Sequence, residues 1–537
     1  MRTRGDAMPA PVKETNEKGE RETRTKYFQE FKGVYTKASR IAIPQDNFYD
    51  LQNLMPIGPA NLTTVPGHFL YTNIGINKTI YWMQYVCINS IDYIIACSTA
   101  GDLYSYNIST NIWTLITSTL GGVQCRMDQW KNSLVLIADT TGYYTWDGTT
   151  FTNLTGGIIP SAPLVNPDIA VFANHVWLYS NRLLYISAIN DYTATGFGVA
   201  AGAVTQQLTD PQMRGQCVRM MSASGYLYML FKSSIFLISD AYIPASASPP
   251  AVTFSFINVT AQIGCNNPGS VFLMGRNLMF ANTQGLWSLS GVDTTRISED
   301  IDGTLQYMDP TFAISGGIVN VNNIQNGAFL FKTVGDPVFG TRYTVAMNFD
   351  NKWWYSSTGS FTFNNVAQPI QFSFICSAVS GSNPVLFGIT NGNYLWQLFS
   401  TNAPPLVSSW QGPLWPMEDI VSRKGVLSAG FEVAFIKNAS AVPTLTLNVD
   451  TERGSNPISN IGTVGNVSWA NNSSATVTWI NSSSQPVQWI SAGTTLYFGD
   501  GGGAFGRYVG FSGNANAGSI YEIDSFMMDY QLWTRWT

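Results

Sequence analysis

Short runs of β-branched and aromatic residues recur along this chain, each followed by a polar turn and a second aromatic-studded run. Residues 103–116 read Leu-Tyr-Ser-Tyr-Asn-Ile-Ser-Thr-Asn-Ile-Trp-Thr-Leu-Ile, and 143–154 read Tyr-Tyr-Thr-Trp-Asp-Gly-Thr-Thr-Phe-Thr-Asn-Leu. In both, an aromatic followed by Asn or Asp (Tyr106-Asn107, Trp146-Asp147) leads to a second aromatic (Trp113, Phe151), and residues 345–354 repeat the pattern with Asn348 and Trp353. Period-2 alternation shows in Tyr226–Phe231 and Leu278–Ala281, while helical periodicity of any length is missing. Gly or Asn stands at the turns Ala100-Gly101-Asp102, Thr141-Gly142, Gln284-Gly285 and Asn391-Gly392-Asn393, where tight hairpins need positive φ.

The first clear strands centre near Tyr93, Leu134, Trp177, Leu227, Leu278, Phe329 and Leu386, at separations of about 40 to 60 residues. Units of that size cannot bury their own apolar faces and must pack on one another. The spacing predicts an all-β chain built on a β-propeller of about seven blades over 76–410; six or eight blades satisfy it too. Before the blades, 1–26 is polar and mixed in charge, a disordered or partner-docking extension, and 27–75 carries aromatics spaced by prolines, an extended arm that wraps a folded body. After Trp410 the texture changes. Long strands at 426–437 and 444–450, a Ser/Asn/Thr-rich stretch over 451–486 and further strands near the end predict a C-terminal β-sandwich over 411–537.

Composition sharpens this picture. Charged residues make up only 11% of 537, less than half the usual share, which favours assembly over a soluble monomer. Residues 1–40 hold ten Lys/Arg against six acids, leaving the rest of the chain at −9, the wrong sign for a domain that grips nucleic acid. Six cysteines lie far apart, most inside apolar runs such as Ile-Ile-Ala-Cys97, and read as buried free thiols. No apolar run reaches membrane-spanning length, and the start of the chain lacks the apolar core of a signal peptide.

Three features together resemble the tail nozzle or tail-hub proteins of short-tailed bacteriophages, the packaged-DNA stabilisation and tubular tail proteins. The first is the arm Phe31-Lys-Gly33-Val, Arg40, Pro44, Asn53, Gly58 and Val65-Pro66-Gly67. The second is the repeating blade. The third is the ending Gly506-Arg507-Tyr508-Val509-Gly510-Phe511, then Ile523-Asp524-Ser525-Phe526 through Tyr530 to Arg535-Trp536. The resemblance implies a structural virion protein in the phage tail, made in the host cytoplasm. It would form a ring, usually a hexamer, below the portal and adaptor, touching tail fibres or a tail tip and passing double-stranded DNA without reading it. The charged extension over 1–26 is longer than that family's opening requires.

Within that frame, Tyr27, Phe28, Phe31 and Tyr35, interleaved with Lys26, Lys32 and Lys37, are expected to anchor the arm on an adjacent protein ring. Packing on the protein's own body is the competing expectation. Glu299, Asp300 and Asp302 are expected in a channel-lining acidic loop that keeps DNA from sticking; a solvated blade-edge loop and a calcium site are the alternatives. Asp500, Gly501, Gly502 and Gly503 are expected in a mobile loop, since no helix follows to make a phosphate cradle.

Catalytic, metal and cofactor chemistry is not predicted. The two histidines, His68 and His175, have no Cys, Asp or Glu at ligand spacing and are expected to be satisfied structural or surface residues, and no Gly-x-Ser-x-Gly occurs. Tyr144-Thr-Trp146-Asp147-Gly148-Thr lacks the residue order of a sialidase Asp-box and reads as an Asp-Gly hairpin. The alternative functions are a propeller that binds or degrades polysaccharide, with Trp353 and Trp354 stacking on sugars, and a monomeric adhesion or scaffold propeller.

Overall fold

The computed structural model describes residues 22–533 apart from 59–60, 76–77, 123, 157–162, 245–250, 338–339, 358–359, 364–365, 418, 436–444, 459–468, 471–475, 478–493, 501–502, 517 and 519–520. The predicted extension over 1–26 therefore lies almost wholly outside the described residues. Among the described residues, no helix is long and apolar enough to cross a membrane.

Seven antiparallel four-stranded units follow one another along the chain. Blade one begins at Ile80–Ile88 and ends at Ile112–Thr117, blade two runs from Arg126–Trp130 to Phe151–Asn153, and blade three from Asp168–Phe172 to Val204–Gln207. Blade four spans Cys217–Ala223 to Thr253–Thr260, blade five Phe272–Met274 to Asp293–Arg296, and blade six Ser315–Val321 to Lys352–Ser357. Blade seven takes three strands from Phe372–Ser380 to Tyr394–Leu398 and its fourth, outermost strand, Phe69–Asn73, from the arm. The first strand of blade seven packs on the first strand of blade one, so the ring closes. The propeller has seven blades.

All seven predicted strand centres fall on the second strand of their blades, not the first. The reason is burial. Second strands such as Leu134–Asp139 and His175–Ser180 are covered along their whole length and read as unbroken apolar runs. First strands face the propeller axis and carry polar residues, as in Arg-Met-Asp-Gln-Trp at 126–130, which hides them from an apolar search. Several hairpins also lack the glycine used to find them. Asn89-Ser90, Ala173-Asn174, Asn181-Arg182, Asn322-Asn323 and Asp350-Asn351 hold two successive residues at positive φ, the backbone of a type I′ turn.

The C-terminal sandwich is not built from residues 411–537 alone. One sheet has the order Leu54–Ile57, Asn61–Thr64, Tyr521–Trp533, Arg423–Phe435 and Thr494–Asp500, with Thr23–Phe28 paired alongside Tyr521–Trp533. The other runs Gly454–Pro457, Leu445–Thr451, Val509–Ala515, Ser408–Gln411 and Asp50–Gln52, and continues through a parallel bridge, Gln52 to Tyr355, into blade six. Phe511 of one sheet stacks on Phe526 of the other at 5.5 Å, which places the sandwich core between them. The arm expected to wrap the body over 27–75 instead supplies strands to both sandwich sheets and closes the propeller.

Candidate functional site

The arm is where several of the residues singled out in the sequence converge, each with a physical task there. Gly33 sits at φ +89°, with its backbone so close to Trp353 that a Cβ would stand 2.6 Å from the Trp353 carbonyl oxygen. That approach lets Val34 N–H donate to the same carbonyl at 2.8 Å while Phe48 N–H donates to Gly33 O at 2.8 Å. Arg40 reaches the sandwich: its Nε donates to Gly412 O at 2.6 Å, and its Nη2 to Phe511 O at 3.2 Å and to the buried Asp450 carboxylate. Asp450 also accepts from the hydroxyls of Ser455 at 2.6 Å and Ser512 at 2.9 Å, so one charge-assisted cluster ties arm and sandwich. Asn53, at φ 55°, links blade six to the sandwich: its Nδ2 donates to Val407 O at 2.7 Å, and Ser356 Oγ donates to its Oδ1 at 3.1 Å. Gly67 lies against the Pro404 carbonyl with no room for a side chain.

The anchors predicted for a partner divide. Phe28 and Phe31 are buried in this protein's own sandwich core, a correction to the docking expectation. Phe28 stacks on Trp415 at 4.2 Å and meets Phe511 edge-on at 5.3 Å, and Phe31 meets Phe526 edge-on at 5.8 Å. The cause is pairing of Thr23–Phe28 with Tyr521–Trp533, which turns Phe28 inward and Tyr27 outward. Tyr27 is 51% exposed and Tyr35 is half-buried.

Glu299, Asp300 and Asp302 form a short helical turn after the outermost strand of blade five. They therefore do not line the propeller's own axis, which the first strands surround. The turn packs on the arm: Thr36 N–H donates to Asp300 O at 2.6 Å, Lys37 pairs with Glu299 at 3.4 Å, and Arg296 pairs with Asp302 at 2.6 Å. Burial raises the carboxyls of Asp300 and Asp302 above the ordinary value, with Lys37 opposing it at Asp300 and Arg296 at Asp302. Beside this turn an open cleft of about 450 Å³ is lined by Thr36, Tyr49, Asp302, Gln306, Tyr307 and Asp336. Burial, then the Asp336 carboxylate, pushes the Tyr49 hydroxyl up. Such a cleft suits a ligand rich in hydroxyls or amides. Among the described residues no group of three or more His, Cys, Asp or Glu stands ready for a metal ion. Of the expected mobile loop, Asp500 closes the strand Thr494–Asp500, Gly503 adopts φ +70°, and Gly501 and Gly502 lie outside the described residues.

Other predicted residues resolve into structural roles. Trp353 and Trp354 are buried, their indole N–H groups donating to Ile297 O at 3.1 Å and Asn326 Oδ1 at 3.2 Å, so neither offers a face to a sugar. Asp147 accepts from Thr149 N–H at 2.9 Å and Thr150 N–H at 2.7 Å in its hairpin, and these bonds lower its carboxyl. His175 is satisfied by Ser187 O at 2.7 Å. His68 is not: both ring nitrogens are buried without a partner between Phe372 and Phe399, and burial lowers its pKa to about 3. All six cysteines are free thiols, five of them buried.

In the sandwich, one buried charge gave no signal in the sequence. Lys424 is fully buried, its ammonium donating to the carbonyls of Asp419, Ser422 (2.8 Å) and Arg507 (3.0 Å), with burial pushing it down to about 8. Nothing in Ser-Arg-Lys-Gly distinguishes it from a surface lysine.

No family model matches the chain, and no curated protein does. Solved structures with similar shape include BBS1N in complex with ARL6DN, at 8% identity and a TM-score of 0.38 over 63% of this chain and 99% of that one. U3-55K aligns at 8% identity and TM-score 0.36 over 62% and 98%, and the WD40 β-propeller domain of Doa1 at 12% and 0.37 over 63% and 97%. Likenesses this distant transfer no function.

Proposed function

We propose that this protein is a structural virion component, the tail nozzle subunit of a short-tailed phage. In this reading copies of the chain, six as the resemblance implies, form a ring below the portal and adaptor that lines or plugs the DNA exit and meets tail fibres or a tail tip. The observation that carries the reading is the interlocking of an early and a late strand of the chain. Thr23–Phe28 pairs with Phe526–Gln531 across some 500 residues, and the second sandwich sheet runs without a break into blade six. A conduit that resists internal pressure gains from a continuous sheet in place of a hinge between its parts. Gly33, Arg40, Asn53, Gly67, Phe511 and Phe526, which join arm, blade and sandwich, are among the residues that carry the resemblance. Low charge and the acidic body are consistent with assembly and with weak repulsion of passing DNA.

A second reading, a propeller that binds or degrades polysaccharide, draws on the cleft of Tyr49, Asp302, Tyr307 and Asp336. Mass measurement of the purified protein, paired with a polysaccharide-clearing assay, separates the two. The nozzle reading expects a ring-sized species without clearing activity, and a monomer that degrades polysaccharide overturns it.

A further inference from the structure

The axis of the propeller holds a charged cluster that the nozzle reading does not use. Trp82 is on the first strand of blade one, Arg126 and Asp128 on that of blade two, Asp168 on that of blade three and Arg219 on that of blade four. The Arg126 guanidinium stands 4.6 Å from the Trp82 ring centre and that of Arg219 5.2 Å. Blades one and four are not neighbours, so Arg219 meets Trp82 across the axis. Next to them lies a cavity of about 160 Å³ whose lining includes Trp82, Gln84, Arg219, Met221, Phe374 and Ser377.

Donors outnumber acceptors here. A guanidinium offers five N–H groups. Arg126 uses one, on Cys125 O at 2.8 Å, and Arg219 one, on Asp168 at 3.1 Å. The Nε of both arginines and Nε1 of Trp82 are buried with no partner. The carboxylates are committed elsewhere. Asp168 also accepts from Met220 N–H, and Asp128 accepts from Gln129 N–H at 2.8 Å and Val171 N–H at 2.7 Å. The one orphaned acceptor is Gln84 Oε1. Arg126 has no carboxylate within ion-pair distance among the described residues.

We propose that the propeller axis is a binding site for a small carboxylate, held by the guanidinium group of Arg219, which lines the cavity, while Arg126, stacked on Trp82 beside it, adds positive charge. A planar carboxylate pairs with the guanidinium fork through two parallel N–H···O bonds, a geometry that phosphate shares and chloride lacks. The cavity equals about five water volumes at roughly 30 Å³ each, room for a ligand of a few heavy atoms. The site does not depend on the nozzle assignment.

The test uses the full-length assembled protein, with melting temperature and calorimetry read against acetate, malonate and inorganic phosphate, each compared with chloride at equal ionic strength. A saturable rise with acetate or malonate that chloride does not produce is expected, with Arg219→Gln weakening it about tenfold or more, the loss of a charge-assisted bond, and Arg126→Gln, which removes a nearby charge, weakening it less. Gln84→Glu covers the case in which the arginine variants do not fold. It places a carboxylate in the cavity, so it should melt higher than wild type and lose the response to acetate. Equal effects of acetate and chloride, preference for phosphate, or a Gln84→Glu protein that still responds like wild type overturns the proposal.

Discussion

The propeller and the sandwich share one polypeptide and one kind of secondary structure, yet they are specified in different ways. Every blade but the seventh is made from consecutive strands, and most hairpins close over two to four residues, the exceptions being the outer connections of blades three and four, over 187–203 and 243–252. The sandwich is made from pieces more than 350 residues apart, Thr23–Phe28 against Tyr521–Trp533 and Asp50–Gln52 against Ser408–Gln411. The blades therefore rest on local contacts, and the sandwich on the arrival of the arm. Contacts of long sequence separation form late and are lost first when either end is removed.

The largest effect is expected from removing the arm's first segment. A chain starting at Lys32 loses the strand Thr23–Phe28 and the buried rings of Phe28 and Phe31, each worth about 3–5 kcal/mol. Limited proteolysis should then cut within 400–533 while the blades over 80–398 resist. Equal protection of both regions would erase the distinction between them. Next is Arg40→Met, which strands the buried Asp450 carboxylate and should cost about 3–5 kcal/mol in urea unfolding. Adding Asp450→Leu should recover most of that loss, because no buried charge then lacks its partner.

His68 sharpens the comparison through pH, since it lies where the arm enters blade seven. Its pKa is lowered by burial to about 3 in the folded state against 6.5 unfolded, so the unfolded chain binds the proton first. The stability it contributes is fully present above pH 6.5 and is lost as pH falls toward 3. Between pH 7 and 5 the loss should be about 2 kcal/mol, and His68→Phe should remove that part of the pH dependence. Denaturant midpoints at the two pH values check it. The smallest effect belongs to the acidic turn. Asp302→Asn breaks a partly exposed pair with Arg296 and should cost about 1 kcal/mol or less in the same assay.

This contrast also sets what the sequence could reveal. The spacing of Tyr93, Leu134, Trp177, Leu227, Leu278, Phe329 and Leu386 carried the blades because a doubly covered second strand announces itself by its apolar run. The axis strands stayed hidden because Arg126, Asp128, Asp168 and Arg219 make them look like loops. At the arm, the motif residues pointed to the right positions, but Phe28 and Phe31 looked like anchors for a partner. Their true partners, Trp415, Phe511 and Phe526, stand nearly 400 or more residues away, beyond any local pattern. Tyr27, outward on the same strand, keeps the docking role open. The acidic turn was found as a cluster, and its place on the arm follows from pairing with Lys37 and Arg296, a tertiary fact.

Electron cryomicroscopy of the purified assembly tests the central claim most directly. The account predicts a closed ring of copies around a lumen wide enough for a DNA duplex, each copy a seven-bladed propeller with Thr23–Phe28 and Tyr521–Trp533 paired in its sandwich. Isolated single copies, or an assembly with no continuous lumen, would contradict it.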